Sequence, residues 1–346
     1  MVSGPTFSFL TTAYGTEDYI ADTIESVLAQ TRGDWELIVV DNGPSAEMAR
    51  IVESYAAADE RIMLIRQDNR GYRGGVAAAA AEARGDFVSV LDSDDLLLPE
   101  FCARVGAVLD SNPAVDAVGV DAYRFNGDDG LDLPVPYMRS IGVSEPADPS
   151  NRLSLTDVLG GRVPYYTAAV RRTAWEAVGG YEPGVDDVDE SVVVWCRLVV
   201  DYDVRLIPDR LARYRLRGDS LSRDPAKVEN FERQLMRSFI EGARTSNDPA
   251  DRQALDTTLR RMRYHQAIRR ARTALLAGDD ASARSEARAA FNERASARSA
   301  VLLATLTVAP GLMRRLHPLK ARVSQVVTGA VARIVAGRRR SAGTRG

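Results

Sequence analysis

Three carboxylates in four positions break an apolar stretch. FVSVLDSDDLLLPE, Phe87 to Glu100, runs through Phe87, Val88, Val90 and Leu91, then turns to Asp92, Ser93, Asp94 and Asp95 before leucines resume. Successive side chains of an extended segment alternate sides, so Asp92 and Asp94 project together. Two carboxylates held close repel unless positive charge lies between them. A hard divalent ion, Mn2+ or Mg2+, supplies that charge and brings phosphate oxygens with it. The competing reading is a pair of solvated loop acids that prepare a helix, and Asp95 reads equally as ligand or turn residue. The position at the end of an apolar strand favours the ion. Asp41 closes a second such run, ELIVVDNGPS. At a strand mouth it would accept hydrogen bonds from a base or ribose. Equally, it would start an Asx-turn into the next helix.

The elements that must position these acids alternate. Phe7 to Thr11 reads as a strand, and Thr16 as the cap of a helix with Glu17 and Asp18 in its first turn. Ile20, Ile24, Val27 and Leu28 form that helix's apolar face. Leu37–Val40, Ile62–Ile65 and Phe87–Leu91 read as further strands. Met48 to Tyr55, the alanine-rich Gly74–Ala83 and the segment after Pro99 read as helices. Fully apolar strands alternating with helices imply an α/β fold, a mostly parallel sheet flanked by helices. Ligands bind such sheets at the carboxyl ends of the strands, where Asp41 and Asp92 both fall.

Beyond this part, Asn126–Ser150 is polar and reads as a long surface loop. Arg171–Leu221 returns to helix and strand, with strands near Asp203–Ile207 and Leu211–Leu216. Val228–Phe291 reads as helical, folded back at Gly278-Asp279. The expected organisation is an α/β domain over 1–222, a C-terminal helical region over 223–296 and an apolar, basic tail over 297–346.

Composition narrows the classes. The net charge is only −3, but no acidic residue follows Glu293, while arginines continue from Arg294 to Arg345. Val323, Val326, Val327, Val331, Ile334 and Val335 recur at helical spacings among them. That pattern suits a helix lying in an anionic membrane surface. The alternative is a helix packed on the body or on a partner subunit, making an oligomer. Arginines without a recognised binding module do not imply nucleic acid. Cys102 and Cys196 sit in apolar runs and read as reduced core thiols, which suits a cytoplasmic setting. The N-terminus MVSGPTFSFL lacks a basic n-region, so no signal peptide is expected.

Taken in order, several segments resemble the family 2 glycosyltransferases of GT-A (Rossmann-like) fold. FSFLTTAYGTEDYIADTIESVLAQT is similar to the family's first strand, Tyr-bearing loop and first helix. WELIVVDNGPS resembles its second strand, and ARGDFVSVLDSDDLLLPE its Asp-x-Asp segment. RRTAWEAVGGYEP resembles its acceptor-side segment, and RLARYRLRGDSLS its late strand. Together they span roughly residues 5 to 222.

The resemblance implies an NDP-sugar donor, UDP-sugars foremost, and a glycan or lipid-linked hydroxyl acceptor. Thr12 and Ala13 lead to Tyr14, which matches the position that packs on the base; Asp41 matches the one that hydrogen-bonds it. Asp92 and Ser93 match the ribose and metal side, and Asp94 the metal ligand.

Three positions depart from the pattern. Val76-Ala77 stand where relatives carry Arg-Asn, leaving Arg73 upstream as a cation for the donor or a solvated residue. Ser191 stands where the general base is usual, which leaves Glu190 or Asp189 for that role, since a hydroxyl is too weakly basic. Arg217 stands where a His completes the metal shell; it cannot ligate a cation but can pair with a diphosphate. The implied protein is an inverting glycosyltransferase of bacterial surface-glycan assembly, peripheral at the inner face of the cell membrane. The alternative is a catalytically inactive module of the same fold that binds nucleotide sugar or partners.

Overall fold

The structure is a computed structural model that describes residues 4–315, except 144, 183, 185, 219 and 221–223. The valine-rich tail pattern beginning at Val323 lies outside the described residues. The chain divides into two compact units, Met1–Asp251 and Arg252–Gly346.

The first unit alternates strand and helix as its apolar runs dictate. In order come β1 (Phe7–Ala13), α1 (Glu17–Leu28), β2 (Trp35–Asn42), α2 (Ala46–Ala56), β3 (Ile62–Gln67) and α3 (Gly71–Ala81). β4 (Phe87–Val90), β5 (Leu96–Leu97), α4 (Phe101–Ser111), β6 (Ala117–Asn126), α5 (Tyr137–Ser140) and α6 (Leu155–Leu159) follow. β7 (Ala169–Arg171), α7 (Arg172–Ala177), α8 (Glu190–Asp201), β8 (Val204–Leu216) and α9 (Val228–Gly242) complete it.

Among the described residues one eight-stranded sheet runs β3-β2-β1-β4-β7-β6-β8-β5. β1 pairs parallel with β2 and β4, and β2 with β3. β1 and β2 are buried along their whole length, which is why Leu37–Val40 reads as an unbroken apolar run. α1 turns Ile20, Ile24 and Val27 inward, fully buried, in the expected pattern.

The far half of the sheet was hidden in the sequence. β7 joins β4 and β6 antiparallel over three residues, too few for a pattern to show. The two late strands expected near 203–216 are one strand, β8, parallel to β6 with register shifts around Asp121. Those shifts let β8 continue past Pro208, which has no N–H to give the ladder.

Thr16 occupies the N-cap position of α1, but its side chain does not cap the helix. Its hydroxyl is hydrogen-bonded instead to that of Ser93, at 2.8 Å.

In the second unit α11 (Asp280–Glu293) follows α10 (Pro249–Ala277) across Gly278, whose positive φ of 86° favours glycine at the reversal. α12 (Ala297–Val308) then places Leu306 in a core of Ala271, Leu275, Ala283 and Ala287. No helix of the described residues is long and apolar enough to cross a membrane.

Candidate active site

The carboxylates gather where the strands of the parallel half end. β1 stops at Ala13, and the next residue, Tyr14, is 65% exposed. Its ring lies against Gly43: a Cβ there would stand 2.8 Å from two ring carbons. Thr12 is met from the other side by α3, where Gly75 leaves room that a Cβ would fill at 2.3 Å from Thr12 Cγ2.

Asp41 ends β2 with its side chain 2% exposed. Its Oδ2 accepts from the Ser45 backbone N–H at 2.9 Å and faces Arg66 Nε at 3.4 Å. Ser45 in turn caps α2 by accepting from the Met48 N–H at 3.2 Å. In this state the Asp41 carboxylate orders the turn into α2.

The Asp92–Asp95 loop is pinned by its last acid. Asp95 is buried; its Oδ2 accepts from Tyr165 at 2.5 Å and from Tyr166, and its Oδ1 accepts from the Arg215 backbone N–H at 2.8 Å. Burial, then the charges of Asp94 and Asp92, push its carboxyl well above the usual range. Asp95 is therefore the anchor of the turn. The Arg215 guanidinium locks the same loop from β8, donating through Nε to the Asp94 carbonyl at 2.6 Å and through Nη2 to Asp22 on α1 at 2.9 Å.

With the loop held, Asp92 and Asp94 face the mouth of the sheet. Tyr72 Oη donates to Asp92 Oδ1 at 2.5 Å. Burial, then the neighbouring Asp94, raise the Asp92 carboxyl to about 7. Asp94 Oδ2 lies 3.2 Å from Arg217 Nε. Tyr72 and Arg215 were missed as site residues by sequence reasoning, although a Tyr directly after Asn-Arg-Gly and an Arg two before Arg217 stood in quoted or neighbouring segments.

Asp189 and Glu190 open α8 near these acids, close enough for the charge of Asp189 to act on Asp92. Asp189 is the N-cap: its Oδ1 accepts from the Ser191 N–H at 3.1 Å and from the Ser191 hydroxyl at 2.5 Å. Ser191 thus serves the cap. Asp187, at φ 61°, turns away to pair with Arg233 and Arg237 of α9 at 3.0 and 2.8 Å. Glu190 remains half-buried, and its carboxyl is raised by burial and by Asp189, with Arg73 pulling the other way. Arg73 also reaches the exposed Asp186, at 3.5 Å.

Asp92 and Asp94 provide two carboxylates, as many as hold Mg2+ or Mn2+ alongside phosphate oxygens. Among the described residues no group of three His, Cys, Asp or Glu stands placed to hold an ion unaided. The donor set fits an ion shared with a diphosphate, and that ion would share Asp94 with Arg217.

The acids thus sit at the carboxyl mouth of the parallel half of a mixed sheet in an α/β domain. Residues 8–175 match the family model of glycosyl transferase family 2. The glycosyltransferase EpsJ of Bacillus subtilis is 32% identical over 124 residues, 36% of each chain. The match spans only 13% to 36% of the first three curated relatives. TarS of S. aureus, solved with UDP-GlcNAc, has the same fold, with a TM-score of 0.60 at 18% identity over 92% of both chains. So does the mannosyltransferase PcManGT of Pyrobaculum calidifontis, solved with GDP-Man and Mn2+, with a TM-score of 0.56 at 17% identity over 95% of this chain and 87% of that one.

Proposed function

We propose that this chain is an inverting glycosyltransferase that moves a sugar from an NDP-sugar, foremost a UDP-sugar, to a hydroxyl acceptor in bacterial surface-glycan assembly. One observation carries the reading. The Asp92–Asp94 loop, locked at a strand mouth by Asp95 and Arg215, faces an opening helix that bears a carboxyl of raised pKa, Glu190.

In this reading Tyr14 stacks on the base, with Thr12, Ala13 and Asp41 shaping the floor beneath it. Ser93, hydrogen-bonded to Thr16, and Asp92 bound the ribose side. A Mn2+ or Mg2+ ion, when bound by Asp92 and Asp94, offsets charge on the leaving diphosphate. Arg73 steadies the donor near Glu190. The acceptor oxygen attacks the anomeric carbon in line, the bond to the diphosphate breaks, and Glu190 receives the hydroxyl proton. Burial suits Glu190 to that task, because a base works best with a pKa nearer the operating pH.

The acceptor enters from the side of the 127–149 loop. A cavity of about 320 Å³ lies there, lined by Met138, Arg139, Val143, Leu206, Ile207 and Arg210 among others. That size suits a sugar or the head of a lipid-linked acceptor. The basic tail supports attachment to an anionic membrane at its cytoplasmic face.

Donor hydrolysis tests the reading. Purified protein incubated with UDP-, GDP- and dTDP-sugars should release one nucleoside diphosphate, faster with a hydroxyl acceptor present. Binding of a nucleotide sugar with no release at high enzyme concentration would leave an inactive binding module.

A further inference from the structure

We propose that Arg217 takes up the donor's diphosphate itself, so that nucleotide binding at this site does not need a divalent ion. The inference rests on the donor-site reading above and adds to it which group supplies the positive charge.

Arg217 and Asp94 are already paired, Nε to Oδ2 at 3.2 Å, with 18% and 19% of their side chains exposed. Any ion reaching that oxygen competes with a guanidinium already in place. Two cations crowded on one carboxylate repel each other. A diphosphate arriving beside the pair is instead drawn to the guanidinium, whose charge offsets the repulsion from Asp94 that the anion would otherwise meet. A guanidinium has five N–H donors in a rigid fork, so a carboxylate at Nε is compatible with phosphate oxygens along another edge.

The surroundings fix where this guanidinium sits. Arg215, two residues earlier, is 7% exposed and tied to Asp94, Asp95 and Asp22. It sets the backbone from which Arg217 projects. Both guanidinia lie over the Tyr19 ring, at 4.8 Å for Arg215 and 5.0 Å for Arg217. A planar cation held by an aromatic face and a carboxylate has little freedom left to lose when an anion binds. On this assignment Asp94 is a positioning residue that aims Arg217, and the ion is an auxiliary.

Calorimetric titration of the full chain with UDP, GDP, ADP and CDP, in EDTA and again with Mn2+, tests this. The nucleotide that binds wild type should do so in EDTA within about threefold of its affinity in Mn2+. Arg217→Gln should weaken binding in EDTA by about 10- to 100-fold, the range of a charge-assisted hydrogen bond, and Mn2+ should restore much of the loss. Arg217→Lys, which keeps the charge without the fork, should fall between. Wild type that binds only with Mn2+ overturns the proposal and leaves the donor site standing. So does Arg217→Gln binding like wild type in EDTA. No binding by any nucleotide in either condition overturns the donor-site reading and this one with it.

Discussion

The Asp95 carboxylate accepts the Arg215 backbone N–H at 2.8 Å, joining residues 120 apart in the chain. This one bond closes the acidic loop after β4 onto the last strand of the sheet. The same carboxylate holds Tyr165 and Tyr166, whose rings pack with Tyr214. The third acid of the sequence motif therefore builds the platform on which the other two stand.

Removing that platform should cost stability. Asp95→Ala leaves the Arg215 backbone N–H without its acceptor and takes one acceptor from each of two tyrosine hydroxyls, which keep the bond to each other; a buried group left unpaired costs about 1–3 kcal/mol. Asp95→Asn keeps the shape and should cost less, because burial already holds the acid's pKa high. The sign for pH follows. A carboxyl raised in the folded state binds its proton more tightly there than when unfolded. Its contribution is complete below the unfolded pKa and is lost as pH rises through the folded one. Urea melts of wild type from pH 4 upward should lose stability relative to Asp95→Asn, and parallel curves would refute this.

Gly43 is predicted to matter through Tyr14. A Cβ at position 43 would stand 2.8 Å from the Tyr14 ring, and the backbone there, at φ 156°, disfavours L side chains. Gly43→Ala should displace the ring and weaken nucleotide binding. Stacking on an aromatic is worth about 1–3 kcal/mol per base, so Tyr14→Ala should lose about 5- to 150-fold and Gly43→Ala a similar amount. Calorimetry on both variants checks it; wild-type affinity in either would remove Tyr14 from the site.

How much of this the sequence carried depends on range. The parallel half was legible, because β1, β2 and β4 are buried on both faces and the apolar positions of its helices recur every three or four residues. Asp92 and Asp94 were legible because they break such a run. The join from Asp95 to Arg215 was not, since a contact across 120 residues leaves no local pattern. Asp189 illustrates the same limit. Its identity as an acid before α8 was visible, but its work as the helix cap, with Ser191 donating to it, depends on rotamers. β7 is too short to announce itself, and β8 looked like two strands because Pro208 interrupts its pattern.

The basic tail gives a separate prediction. Truncation after Asn292 would remove Leu306 from the core formed with Ala271, Leu275, Ala283 and Ala287. Truncation after Arg315 leaves that core whole and deletes Lys320, Arg322, Arg333, Arg338, Arg339, Arg340 and Arg345 with their intervening valines. Basic residues near an anionic surface contribute about 1 kcal/mol each. Full-length protein should sediment with phosphatidylserine liposomes at low salt, and the shorter chain should stay in the supernatant with an unchanged melting curve. Equal behaviour of the two would leave self-association or packing on the body as the tail's role.

The last prediction concerns Glu190. Asp189 spends its Oδ1 on the helix cap, and Asp187 pairs with two arginines of α9, so neither is as well placed to take a proton. Glu190 is half-buried, with its pKa raised mainly by burial. Loss of a general base typically costs about 10²–10⁴-fold in rate. Glu190→Gln should lower turnover by that order while nucleotide affinity stays near wild type. Asp189→Asn should reduce turnover less and cost about 1 kcal/mol of stability through the weakened cap. The pH profile separates the roles. A base must be deprotonated to act, so wild-type turnover should fall as pH drops through the raised pKa of Glu190, above the ordinary glutamate range. That acid limb should vanish from whatever activity Glu190→Gln retains. If the limb persists in Glu190→Gln and disappears in Asp189→Asn, the base is Asp189 and the cap must open during turnover.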